Sequence, residues 1–160
     1  MKISDKINSK TVVLPLQSNC KYDTLQELLN HCKSLDYLTS TVKLISSLDE
    51  KEKKMSSASG RGVAYHYNTS IEVDDMIAVL GISKKGINYD AADGMLCNFI
   101  LLILEPESKE QQHRQFINYF QDMINDISIK EQLLDSDTKS EIEQIIINWE
   151  NQISIDNEFS

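Results

Sequence analysis

The stretch Asn98-Phe-Ile-Leu-Leu-Ile-Leu104 ends in six consecutive apolar residues, and Met76-Ile-Ala-Val-Leu80 is a second continuous apolar run. Apolar runs of this length that are rich in branched aliphatic side chains are typical of strands buried on both faces. A half-exposed strand instead alternates polar and apolar residues. Such strands need helices on each side of the sheet to cover them. The sequence therefore predicts an α/β fold in which helices sandwich a mixed β-sheet.

Helical periodicity is present on both sides of these two runs. Before them, a capping box from Asp23 to Gln26 predicts the start of one helix, and a second helix is expected from about Ser40 into the charged run 49–54. After them, Ser108 is expected to cap a third helix, and two short helices are expected at 127–134 and 140–149. The apolar stripe predicted for the third helix consists of Phe116, Ile117, Phe120, Met123 and Ile124.

Two shorter segments are expected to complete the sheet. Residues 11–16 have strand composition, and Pro15 indicates an edge position or a bulge because proline has no N–H to donate. Residues 63–65 have a composition typical of a strand and follow segment 56–62, whose residues are mostly small and polar. Between the two long runs, residues 86–94 have turn residues at each end and are predicted to form a loop.

Length and charge limit the classes of function. The 160 residues fit one domain, predicted as residues 1–150 followed by a polar tail at 151–160. The net charge of −9 comes from residues 105–160, which carry 13 acidic and 4 basic side chains; an acidic surface repels nucleic acid. No window approaches the roughly 18 apolar residues of a membrane helix, and no signal peptide is expected, because the charged first residues have no apolar core behind them. We therefore expect a cytoplasmic protein without membrane insertion.

Several catalytic and binding motifs are excluded by their spacing. The segment Gly60-Arg61-Gly62 lacks the Lys-Ser/Thr ending of a phosphate-binding loop and the third glycine of a dinucleotide fingerprint. The sequence contains no GxSxG nucleophile elbow, no HExxH or CxxC pair and no EF-hand spacing of carboxylates. We therefore expect neither a metal nor a cofactor, and histidine phosphoryl transfer is the one coherent chemistry that remains.

Two of the three histidines are candidates for that chemistry. His66 is expected to end a strand just after a flexible Gly/Ser segment, where reactive groups are often exposed. His113 is expected in the first turn of a helix, where backbone N–H groups favour an anion. His31 lies between apolar positions of the first helix and is interpreted as a surface or boundary residue.

From Val12 to about Trp149, the chain resembles the fructose/mannitol/nitrogen-type enzyme IIA domains of the bacterial sugar phosphotransferase system. That family has a G-x-G-[IV]-A-[ILV]-P-H motif whose histidine accepts phosphate, then a G-I-x-[WFY]-x-A-x-D-G turn. A second histidine follows a later proline. Here residues 56–64 resemble the approach to the acceptor, residues 86–94 match the turn, and residues 106–113 reproduce the spacing to the second histidine. The resemblance implies the enzyme IIA mannitol/fructose-type fold.

The chain departs from the family pattern at the phosphorylation motif itself. In the ungapped register, His66 falls on the proline and Tyr67 falls on the phospho-acceptor. Lys51 stands where the family has an arginine, which keeps the positive charge but loses the planar fork that grips phosphate oxygens. Placing His66 on the acceptor requires deletion of one residue from the motif.

The resemblance implies a regulatory phosphocarrier that accepts a phosphoryl group from an HPr-like protein and signals to a downstream regulated protein or a sugar-permease component. In this hypothesis His66 is the acceptor and His113 hydrogen-bonds the phosphoryl oxygens. Lys51 or Arg61 would offset their charge. The alternative is a degenerate domain, with Tyr67 at the acceptor position, that cannot be phosphorylated and only binds proteins. A third hypothesis lies outside the family and is a generic α/β interaction domain with structural histidines.

Overall fold

The structure, a computed structural model, describes residues 1–158, in which a five-stranded sheet lies between two layers of helices. The strands are β1 (Val12–Val13), β2 (Ala58–Gly60), β3 (Val63–Thr69), β4 (Ile77–Ile87) and β5 (Cys97–Glu105). After a short 3-10 helix at Ile3–Asp5, the helices are α1 (Lys21–Ser34), α2 (Val42–Lys54), α3 (His113–Ile124), α4 (Ile127–Asp135) and α5 (Lys139–Glu158).

The two apolar runs form β4 and β5, and β5 is the middle strand of the sheet, whose order is β1-β4-β5-β3-β2. β5 pairs antiparallel with β4 and parallel with β3, so the sheet is mixed. Residues 99–105 of β5 are all buried, because helices cover both faces. The predicted α/β fold is confirmed, as is the position of β1 at the edge of the sheet, next to Pro15.

The two faces of the sheet carry separate apolar cores. Helices α1 and α2 pack on one face, where Leu28 and Leu48 belong to the same cluster as Leu102 of β5. Helices α3, α4 and α5 cover the other face, where Phe116 packs in the cluster that contains Leu101. Consecutive residues of β5 therefore belong to different cores, as the alternation of side chains along a strand requires.

Several predicted boundaries differ from the observed ones. Helix α1 begins at Lys21 rather than at the capping box of Asp23. Helix α3 begins at His113 rather than after Ser108, because the buried carboxylate of Glu105 accepts a hydrogen bond from the backbone N–H of Gln112 and places the first turn there. β4 continues to Ile87, into the segment predicted as a loop.

The C-terminal helix is longer than the sequence indicates. Residues 151–158, predicted as a polar tail, are exposed and continue α5 to Glu158, while residues 159–160 lie outside the described part of the chain. Glu150 of this helix accepts hydrogen bonds from the backbone N–H groups of Ile3 and Ser4, which ties the two ends of the chain together. Within residues 1–158, no helix combines the length and apolarity needed to cross a membrane.

Candidate functional site

Two neighbouring residues of β3, His66 and Tyr67, project to opposite faces of the sheet because side chains alternate along a strand. His66 contacts Tyr89 in the core beneath α1 and α2, whereas Tyr67 stacks on His113 of α3. His66 lies in the middle of β3 and is 4% exposed, so the expectation that it ends the strand at an exposed position is wrong. The structure brings Tyr67 and His113 together and leaves His66 on the other side of the sheet.

His66 belongs to a buried polar network. Its Nε2 atom lies 3.0 Å from the hydroxyl of Tyr89 and 3.4 Å from the hydroxyl of Ser57. Its Nδ1 atom is 4.0 Å from the carboxylate of Glu52, which also accepts hydrogen bonds from the backbone N–H of Ser57. Burial, with a smaller contribution from the charge of Lys21, lowers the pKa of His66 to about 3. The imidazole is therefore neutral at physiological pH and connects β3 to the end of α2.

The opposite face holds a group formed by Tyr67, Glu105 and His113. The rings of Tyr67 and His113 are stacked, with centroids 3.7 Å apart and planes inclined by 18°. Oε1 of Glu105 accepts a hydrogen bond from the Tyr67 hydroxyl at 2.8 Å and lies 2.6 Å from Nδ1 of His113. His113 is the first residue of α3, which confirms its predicted place in the first turn of a helix.

Glu105 sets the protonation of both rings. Burial alone would raise the pKa of Glu105, but hydrogen bonds from Gln112, Tyr67 and His113 hold it below its ordinary value. An ionised carboxylate can only accept hydrogen bonds, so Nδ1 of His113 carries a proton. Burial, together with the hydrogen bond to Glu105 and the charges of Glu105 and Glu107, raises the pKa of Tyr67 to about 12. The phenol therefore keeps its proton and donates a hydrogen bond to Glu105.

Lys51 covers the exposed edge of β3 next to Tyr67. Its Nζ donates hydrogen bonds to the backbone carbonyl of Tyr67 at 3.0 Å and to Oδ1 of Asn68 at 2.6 Å. The same atom lies 5.8 Å from the centroid of the Tyr67 ring. β2 begins at Ala58, which pairs with Ala64, and therefore leaves this part of β3 without a strand partner on the side away from β5. A lysine at this edge also protects it from pairing with other chains.

A cavity of about 240 Å³ opens between α2 and β3 at this edge. Its lining includes Lys51, Met55, His66 and Tyr67, so residues from both faces of β3 border it. Within residues 1–158, no group of three or more His, Cys, Asp or Glu side chains is arranged to hold a metal ion.

Arg61, the remaining residue predicted for this site, lies elsewhere. It occupies the turn between β2 and β3, where its guanidinium donates a hydrogen bond to Oδ1 of Asn125 at 3.3 Å. That turn precedes β3, whereas Tyr67 lies near the end of the strand. Of the residues expected to stabilise a phosphoryl group, Lys51 therefore lies beside Tyr67 and Arg61 does not.

The sequence analysis missed two residues that organise the site, Glu105 and Asn68. Glu105 is 1% exposed and joins Tyr67, His113 and the start of α3. A signal for it was present, since a single carboxylate ends the apolar run of β5 immediately before a proline. Asn68 carried no such signal, because its role depends on where the side chain of Lys51 lies.

Comparisons with known proteins show which family the sequence and the fold resemble. The sequence profile described as "Phosphoenolpyruvate-dependent sugar phosphotransferase system, EIIA 2" matches residues 5–149. The fructose-specific EIIABC component of Bacillus subtilis is 22% identical over 146 residues, which are 91% of this chain and 23% of that protein. The chain therefore spans about a quarter of the length of this relative.

Two solved structures share the fold. The nitrogen regulatory protein IIA-Ntr of Neisseria meningitidis superposes with a TM-score of 0.79 at 21% identity, over 90% of this chain and 98% of that one. The mannitol enzyme IIA of Escherichia coli, solved in complex with phosphorylated enzyme IIB, superposes with a TM-score of 0.75 at 14% identity, over 89% of this chain and 98% of that one.

Proposed function

The chain belongs to the EIIA 2 family of the phosphoenolpyruvate-dependent sugar phosphotransferase system, and we propose that it is a regulatory member that binds partner proteins without carrying phosphate on β3. Membership excludes the hypothesis of a generic α/β domain outside the family. Within the family, the degenerate domain is the hypothesis that the geometry favours over a phosphocarrier that uses His66.

The observation that carries this proposal is the stacking of Tyr67, not His66, on His113. In the ungapped register Tyr67 occupies the family's acceptor position, and its place beside the second histidine supports that register. A phenol with a pKa raised to about 12 is protonated at neutral pH, and its hydroxyl donates a hydrogen bond to Glu105. Attack on a phosphohistidine would require removal of this proton, so the acceptor position lacks a ready nucleophile.

His66 is poorly placed to replace the acceptor. Its ring is 4% exposed, and its Nε2 atom contacts the hydroxyls of Tyr89 and Ser57. An incoming phosphoryl group would have to displace these contacts in a core that packs beneath α1 and α2. His113 lies on the other face and is not positioned to support such a transfer.

One observation favours the second candidate function, a phosphocarrier that accepts phosphate from an HPr-like protein on His66. His66 is neutral, as a nucleophilic imidazole must be, and it borders the same cavity as Lys51. This candidate requires the cavity to widen enough to admit a phosphohistidine donor. Under either hypothesis, the partners are an HPr-like protein and a downstream regulated protein or sugar-permease component, and the location is the cytoplasm.

The deciding experiment is intact-protein mass spectrometry after incubation with phosphoenolpyruvate, enzyme I and HPr, with phosphorylation of HPr verified in the same sample. We expect no phosphate on the wild-type chain. An acid-labile phosphate mapped to His66 would overturn the proposal in favour of the phosphocarrier. The Tyr67→His variant restores an imidazole at the acceptor position beside His113, and we expect it to gain an acid-labile phosphate.

A matched control distinguishes phosphorylation at position 67 from phosphorylation of His66 in that variant. If the Tyr67→His variant is phosphorylated, adding His66→Asn should leave the adduct in place, because the acceptor is then the imidazole at position 67. Loss of the adduct on adding His66→Asn would assign the phosphate to His66 and support the phosphocarrier. Far-UV circular dichroism of each variant verifies that the fold is retained.

A further inference from the structure

A second polar cavity lies at the other end of α3, away from His113. It has a volume of about 210 Å³ and lies between the turn that joins β2 to β3 and the corner between α3 and α4. Its lining includes two cations, Arg61 and Lys130, together with Ser59, Gln121 and Asn125. The Tyr67 site does not involve it.

The two cations are close to each other and lack carboxylate partners. Lys130 donates a hydrogen bond to the backbone carbonyl of Arg61, and Arg61 donates one to the amide oxygen of Asn125. Among residues 1–158, neither cation forms a salt bridge with a carboxylate. Burial and, to a smaller extent, the charge of Arg61 lower the pKa of Lys130.

The carboxylate of Asp93 attracts Lys130 electrostatically but forms no salt bridge with either cation. Its two oxygens accept hydrogen bonds from the backbone N–H groups of Arg61 at 2.8 Å and Met95 at 3.0 Å. Asp93 thus holds the turn in place through hydrogen bonds to its backbone and is not among the residues that line the cavity. Two positive side chains therefore border one cavity in a chain whose net charge is −9.

The backbone holds Arg61 in a conformation that a side chain disfavours. Its φ angle is 59°, in the left-handed region, between Gly60 at 91° and Gly62 at 82°. A non-glycine residue is strained there, and a glycine would fit more easily. Strain of this kind is retained where the side chain serves another purpose, and here the side chain is a guanidinium beside the cavity.

We propose that this cavity binds a small phosphate dianion, either inorganic phosphate or the phosphate group of a small monoester. Two positive charges match a dianion, and the guanidinium fork of Arg61 fits two phosphate oxygens. Lys130 adds a point charge, and the side-chain amides of Gln121 and Asn125 add hydrogen-bond donors, whereas the hydroxyl of Ser59 donates to the backbone carbonyl of Val63. The site is separate from Tyr67 and His113, so it does not depend on whether β3 carries phosphate.

The test is an NMR titration of the 15N-labelled chain with sodium phosphate and, in a second arm, with glycerol 3-phosphate, both at constant ionic strength against sodium chloride. We expect saturable shifts confined to residues 59–65 and 121–130, with a Kd below about 1 mM for at least one anion. Tighter binding of the monoester would identify an organic phosphate as the source, and equal or tighter binding of inorganic phosphate would identify the free ion. No localised saturable shift with either anion would overturn the proposal.

Variants distinguish this site from general attraction of anions. Arg61→Gly and Lys130→Gln should each weaken phosphate binding at least tenfold. Lys33→Gln makes the same change of charge at an exposed position of α1 and should leave binding unchanged. Arg61→Gly also relieves the backbone strain, so its Tm should not fall below that of the wild type. Unchanged affinity in both cavity variants would contradict the assignment, as would an equal loss in Lys33→Gln.

Discussion

His66 and Tyr67 are adjacent in β3, and their surroundings differ as much as a core differs from a surface site. His66 lies in a closed network with Tyr89, Ser57 and Glu52 beneath α1 and α2. Tyr67 is partly exposed and stacks on His113 at the edge of a cavity. A displacement of one residue in register exchanges these two environments, because side chains on a strand alternate with a period of two.

Two of the three imidazoles of the chain, those of His66 and His113, differ in the same way. His66 is neutral because it is desolvated, with its pKa lowered to about 3. His113 instead has a carboxylate partner, Glu105, 2.6 Å from its Nδ1 atom. The surroundings of a histidine in this fold therefore depend on its face of the sheet and on its partner, and not on residue type.

The largest difference between His66 and His113 is expected in their contributions to the stability of the fold. His66→Ala should lower the free energy of unfolding by about 3 kcal/mol, because it opens a cavity and leaves the buried hydroxyl of Tyr89 without its imidazole partner. His113→Ala should cost only about 1 kcal/mol, since its site borders solvent and Glu105 keeps the hydrogen bonds from Tyr67 and Gln112. Urea denaturation of both variants measures the two costs. Equal costs would remove the distinction between the two faces.

The second difference concerns how the free energy of unfolding depends on pH. The pKa of His66 is lowered from 6.5 to about 3 in the fold, so the unfolded chain binds a proton that the folded chain does not. The stability that results is fully present above the unfolded pKa and is lost as the pH falls. From about pH 7.5 to about pH 5 the free energy of unfolding should fall by about 2 kcal/mol from this group. The free energy of unfolding of the His66→Asn variant should fall clearly less over the same pH range. Parallel pH dependences of the wild type and the variant would contradict the burial of a neutral imidazole.

A smaller loss is expected when the carboxylate on the Tyr67 face loses its charge. Glu105→Gln should cost about 1.5 kcal/mol, because an amide has one oxygen acceptor where the carboxylate has two. Urea denaturation measures the loss, and the imidazole 15N shifts of His113 report whether its Nδ1 stays protonated. Glu107→Gln, which changes an exposed carboxylate bonded to Thr69, is the matched control and should be nearly neutral. A similar loss in both would show that general charge, not the Tyr67 site, is responsible.

The smallest effect is expected at the strand edge. Lys51→Met removes the hydrogen bonds to Tyr67 and Asn68 but keeps the aliphatic stem, so it should cost less than about 0.5 kcal/mol. Amide hydrogen exchange along residues 66–69 should increase slightly, while exchange in β5 stays unchanged. Lys53→Met, on the same helix and paired with Asp49, is the control. A loss above about 2 kcal/mol would show that this edge belongs to the core and is not a surface site.

Much of the fold was predictable because it follows from local patterns. The apolar runs of β4 and β5 predict strands covered on both faces, and the stripe at Phe116 and Phe120 predicts a helix packed on one of them. Helix ends were predicted less well. The start of α3 depends on a hydrogen bond from Gln112 to Glu105, a contact that the spacing of apolar residues does not contain.

The amino-acid sequence by itself determined the family, the α/β fold and the departure of residues 66 and 67 from the family's phosphorylation motif, because motif order and periodicity are properties of neighbouring residues. Only the tertiary structure decided that His66 is buried with Tyr89, that Glu105 joins Tyr67 to His113, and that Arg61 lies beside Lys130. Each of these contacts joins residues at least 8 positions apart in the chain. Local patterns do not predict such pairs, because strand pairing and helix packing bring them together.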